Sequence, residues 1–95
     1  MPKGYWIANI SVTNPDAYRE YVDRDTPIVE NAGGRFIVRG GEVGATEGDI
    51  LDRVVVIEFP DYETALACYN SPEYQEVAEI RRANAESRII VVKGA

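Results

Sequence analysis

With 95 residues, one cysteine and no histidine, the chain cannot form an intrachain disulfide and is a poor candidate for a zinc or haem-histidine centre. Its formal net charge of −6, from 16 acidic and 10 basic residues, disfavours nucleic acid and anionic membranes as partners, and no cationic run longer than Arg81-Arg82 offsets it. The length suits one domain, residues 1–95, whose small core makes association with a second copy the expected remedy. "MPKGYWIANI" lacks a signal-peptide apolar run, and the longest apolar runs are strand-length, so the expectation is a cytoplasmic protein with neither metal nor cofactor.

Tyr5 to Val12 alternates, with Trp6, Ala8, Ile10 and Val12 on one face and Tyr5, Ile7, Asn9 and Ser11 on the other, which predicts a first strand. "TNPDAY" then starts a helix: Asn14 caps, Pro15 suits the first turn and Asp16 meets the positive dipole end. Tyr18, Tyr21, Val22, Ile28 and Val29 form its apolar stripe, and Pro27 predicts a kink or a restart capped by Thr26. Gly33-Gly34 closes the helix.

"RFIVRGG" predicts strand two, with Arg35, Ile37 and Arg39 on one face and Phe36 and Val38 on the other. "TEGD" suits a hairpin turn, which would extend both flanking strands and make Gly40-Gly41 a bulge. "RVVVIEF" is strand three. A second helix follows, capped by Asp61, with Tyr62, Ala65, Leu66 and Tyr69 on one side. It restarts at Ser71-Pro72 with the stripe Tyr74, Val77 and Ala78, and Ser87 to Lys93 is the last strand.

The order β-α-β-β-α-β predicts an α+β ferredoxin-like sandwich: a four-stranded antiparallel sheet with its helices on one face. Strands three and four are apolar on both faces, so the uncovered face needs a cover as well. An identical sheet from a partner chain supplies it, making a homodimer through the open sheet face, a dimeric α+β barrel.

"KGYWIANISVTNPDAYREYV", "GGRFIVRGG", "VVVIEFPDYETALACYNSPEYQ" and "RRANA", in that order and spanning nearly the whole chain, resemble the DUF1330 family of small bacterial proteins. The resemblance implies the dimeric α+β barrel and no particular reaction. Relatives of that fold include cofactor-free oxygenases, muconolactone-type isomerases and haem-dependent chlorite dismutases, a likeness of fold alone.

Several polar residues interrupt the apolar patterns. Arg39 offers a planar fork of donors, either as an anion or carbonyl clamp or as the structural partner of an acid. Glu58 is the acid expected there, ionised in a pair with Arg39 or, buried alone, a proton shuttle with a raised pKa. Arg81 continues the stripe of Tyr74, Val77 and Ala78, as a second anion contact or as a cation snorkelling near a helix end. Tyr18 and Tyr69 are core aromatics whose hydroxyls can line a pocket, and Asn9 either orients a ligand or satisfies a neighbour. Arg35 is expected at the surface, and Cys68 is expected to be buried and inert.

Two functions are compatible with these residues. The first is a dimer binding a small acidic or carbonyl-bearing molecule between sheet and helices, up to a cofactor-independent oxygenase- or isomerase-like enzyme. Its polar groups are Arg39 and Glu58 for catalysis and Arg81, Tyr18, Tyr69 and Asn9 for binding. The second is a non-catalytic structural or regulatory dimer.

Overall fold

The structure, a computed structural model, describes residues 2–95. Its elements are β1 (Gly4–Val12), α1 (Pro15–Asn31), β2 (Arg35–Arg39), β3 (Arg53–Phe59), α2 (Tyr62–Asn70), α3 (Pro72–Asn84) and β4 (Ala85–Lys93). The strands pair antiparallel in the order β2-β3-β1-β4. This is the ferredoxin-like arrangement, in which each β-α-β unit brackets a strand of the other.

The predicted caps form. The Asn14 side chain accepts from the Ala17 N–H, Asp61 from Thr64 and Ser71 from Tyr74, satisfying backbone donors that no helical carbonyl reaches. At the far end of α1 the Gly33 N–H donates to the Glu30 carbonyl and the Gly34 N–H to that of Val29. These bonds make a Schellman closure, and Gly33 takes the φ of +92° that it requires.

Trp6, Ala8 and Ile10 of β1 and Val55, Ile57 and Phe59 of β3 face the helices and form the core with Val29, Ala65, Tyr74, Val77 and Ala78. Trp6 anchors it. Its indole N–H donates to the Ala65 carbonyl at 2.8 Å, and its ring packs on Tyr74, Phe59 and Tyr69. A buried tryptophan thereby keeps its one polar atom satisfied.

Four sequence expectations change. Helix α1 runs unbroken through Pro27, and Thr26 lies inside it, its hydroxyl donating to the Val22 carbonyl rather than capping a new helix. No hairpin extends through "TEGD": β2 ends at Arg39, β3 begins at Arg53, and a loop joins them. Asn9 holds the end of that loop, exchanging hydrogen bonds with both backbone groups of Leu51 and donating to the Arg53 carbonyl.

The bulge lies at Ile37, between the pairs Phe36–Ile57 and Val38–Val56, not at Gly40-Gly41. One extra residue inverts the alternation beyond it. Arg39 therefore lies opposite Val55, on the helix-covered face with Phe36, while Val38 turns to the open face. Finally, β4 starts two residues early, at Ala85.

The open face exposes Ile7, Val38, Ile90 and Val92. Among the described residues no helix is long and apolar enough to cross a membrane.

Candidate functional site

Buried residues of α1 recur as Tyr18, Tyr21, Asp25 and Val29, one face at helical spacing. Asp25 stands in the middle of that face and is only 4% exposed. Helix α3 presents Tyr74, Val77, Ala78 and Arg81 in the same way, with Arg81 also 4% exposed. From below, Arg53 lies opposite Ile10 and so on the covered face, and the bulge delivers Arg39 to that face as well. Gly40, at φ +70°, leaves space that the Arg53 guanidinium fills; a Cβ there would collide with it.

These side chains converge on one cavity between the sheet and α1. Asp25, Arg39, Arg53, Arg81, Tyr18, Tyr21 and Ser87 line it, on a floor of Trp6, Ala8, Ile10, Val55, Ile57 and Ile89. The space is about 480 Å³ including its open mouth, and its enclosed part holds only about two or three water-sized bodies. It is electropositive: three guanidinium groups surround one carboxylate, in a chain whose net charge is −6.

Each group is held. Arg39 lies 3.9 Å over the Phe36 ring and donates to the Thr26 hydroxyl at 2.7 Å. Arg81 donates to the Ser87 hydroxyl. The Tyr21 and Tyr74 hydroxyls are 2.7 Å apart. The Nε atoms of Arg53 and Arg81 are buried with no hydrogen-bond partner among the described residues. Unpaired buried donors are costly, and here both belong to cations lining the same cavity.

Burial pushes the Asp25 carboxyl up to about 6, against the pull of Arg39, the Tyr21 and Thr26 hydroxyls and Arg81. A carboxylate with that pKa is mostly ionised at neutral pH and still basic enough to take a proton. Burial raises Tyr18, with Arg53 the largest opposing influence, so its hydroxyl remains a neutral donor. Tyr21 is raised by burial and then by Tyr74; Tyr74 is raised by burial although Arg81 opposes it. Burial alone would lower Arg81, but the Tyr74 and Tyr21 oxygens more than offset it, so the group stays charged.

Of the residues singled out in the sequence, Arg39, Arg81 and Tyr18 line the cavity. Glu58 does not. It lies on the open face opposite Tyr5 and Arg35, ion-paired to Arg35 at 3.1 Å and to Lys3 at 3.9 Å. The expected Arg39–Glu58 pair is therefore replaced by Arg35–Glu58, because the Ile37 bulge separates the two arginines onto opposite faces. Asn9 also faces away and serves the loop, while Tyr69 packs edge-on against Trp6 outside the cavity lining. Cys68 is buried, and burial pushes its thiol up to about 11, so it is protonated and unreactive.

Asp25 and Arg53 have no counterpart among the residues singled out in the sequence. Asp25 carried a signal, four residues after Tyr21 and four before Val29, which places a carboxylate inside an apolar stripe. Arg53 carried only its position at the head of "RVVVIEF", on the Val55 and Ile57 face.

No curated protein matches this chain. Among solved structures, a protein of unknown function from Rhodopseudomonas palustris superposes with a TM-score of 0.75 at 19% identity, over 99% of this chain and 83% of that one. SnoaB, a cofactor-independent oxygenase from Streptomyces nogalater, superposes at 0.66 with 15% identity, over 100% and 95% of the two chains. A dimeric ferredoxin-like protein of unknown function from Thermobifida fusca superposes at 0.62 with 15% identity, over 97% and 91%. At these identities the likeness is one of fold. The family model for the domain of unknown function DUF1330 matches residues 3–95, nearly the whole chain, so this protein is a member of the DUF1330 family.

Proposed function

We propose that this protein is a homodimer that binds a small acidic or carbonyl-bearing molecule in the cavity under α1, with Asp25 as the group that takes a proton from it. The observation that carries this reading is Asp25 buried among Arg39, Arg53 and Arg81, two of which have an unpartnered Nε. In the step that suits this set, a C–H bond beside the ligand's carbonyl breaks. The proton goes to Asp25, and the electron pair moves onto the carbonyl oxygen, where the guanidinium groups stabilise the enolate. Return of the proton to the same or another carbon completes a tautomerisation or isomerisation with no redox partner. Cofactor-free chemistry has a precedent on this fold in SnoaB. A second copy covering Ile7, Val38, Ile90 and Val92 accounts for the apolar open face, as the dimeric ferredoxin-like neighbour suggests.

Trp6 is the chain's single tryptophan and lines the cavity, so its fluorescence reports occupancy. Small carboxylates and 2-oxo acids should shift that emission saturably. Arg81→Gln should weaken the response at least tenfold, consistent with loss of one charge-assisted contact. Exchange of the ligand's α-hydrogen into D2O, followed by proton NMR, should be lost in Asp25→Asn while binding persists. Equal binding by wild type and Arg81→Gln would refute the site, and equal exchange by wild type and Asp25→Asn would refute the proton-transfer role.

A further inference from the structure

The enclosed part of the cavity admits little more than a ligand's head group, whereas an apolar groove lies directly beside it. That groove is lined by Val12, Pro15, Tyr18, Arg19, Val22 and Arg53 and measures about 560 Å³ including its open side. Tyr18, Val22 and Arg53 belong to both walls, so the two spaces meet at these residues. Both arginines with an unpartnered Nε, Arg53 and Arg81, line the inner space with Arg39 and the single carboxylate Asp25, and among the described residues no carboxylate lines the groove. Arg53, Arg81 and Tyr18 all line this inner space.

The geometry points to an amphipathic monocarboxylate as the ligand, its charged head seated by Arg53, Arg81 and the Tyr18 hydroxyl and its apolar body lying in the groove beside Val12, Pro15 and Val22. The inference rests on the proposed anion site and adds the part of the ligand that site cannot enclose. A carboxylate pairs with the positive charge of the Arg53 and Arg81 guanidinium groups that line the inner space, and an alkyl chain or single aromatic ring removes the groove's apolar surface from water.

The test is a Trp6 fluorescence titration with acetate, butyrate, hexanoate, octanoate and phenylacetate, alongside the matching neutral alcohols. Affinity should rise about three- to fourfold for each methylene the groove takes up, and the alcohols should bind at least tenfold more weakly than the acids. Pro15→Glu puts a carboxylate in the groove at an exposed first-turn position where helices favour acids, so the fold should survive, as thermal unfolding will check. In that variant the dependence on chain length should flatten. Carboxylates that bind without chain-length dependence, or with the same slope in Pro15→Glu, would overturn the groove while leaving the anion site standing. Alcohols that match the acids would overturn the arginine seat, and binding of no carboxylate by the wild type would overturn both readings.

Discussion

The two faces of the sheet invert the usual arrangement. The helix-covered face, where apolar residues belong, also gathers Asp25, Arg39, Arg53 and Arg81 around its cavity. The open face presents Ile7, Val38, Ile90 and Val92 outward, with Glu58, Arg35 and Lys3 in an ion-pair cluster at one edge. Charge under a cover is weak evidence for stability, because desolvation can cost more than pairing returns. Apolar surface without a cover needs a partner. The covered face therefore carries the candidate chemistry and the open face the candidate assembly.

The largest effect expected from breaking this division is on the covered side. Trp6→Ala removes the aromatic anchor and its bond to Ala65, and should cost about 3–5 kcal/mol in urea denaturation. On the open side, Ile90→Lys should barely change the stability of a single chain, since Ile90 is 57% exposed, yet it should turn a dimer into a monomer in sedimentation at micromolar concentration. If wild type and variant sediment alike, the open face is not the interface.

Asp25 yields a pH signature of intermediate size. Its folded-state carboxyl lies near 6, above the ordinary 3.8, so the folded protein holds this proton more tightly than the unfolded chain does. The resulting contribution to stability is fully present below about pH 4 and is lost as pH rises through about 6, a total of about 3 kcal/mol at most. Denaturation across that range should show the difference between wild type and Asp25→Asn falling with pH and then levelling. A flat difference would mean that Asp25 is not held in a desolvated site. The smallest effect belongs to Glu58→Gln, at most about 1 kcal/mol, because its partner Arg35 has a 74% exposed side chain. A larger loss would mean that the edge cluster is itself buried by a partner.

Much of the fold is legible in local pattern. Asn14, Asp61 and Ser71 announce three helix starts, Gly33-Gly34 one helix end, and strict alternation sorts β1 into its two faces, because each signal acts over a few residues. Arg81 is legible for the same reason, as the next step of a buried helical stripe. Thr26 misleads as a cap because a helix held by packing along its length continues past the one bond that Pro27 cannot make.

What the sequence by itself determined is the order of elements, their caps, the α+β class and the two apolar faces of the sheet. The tertiary structure alone decided which acid meets which arginine. That outcome turns on one bulged residue, Ile37, which reverses the face of everything after it and sends Arg39 to the cavity while leaving Arg35 with Glu58. A period-two pattern cannot reveal where an extra residue is inserted, since strand register is set by pairing with a distant segment. Likewise, the burial of Asp25 and the approach of Arg53 depend on α1, α3 and β3 walling one cavity, which brings together residues far apart in the chain.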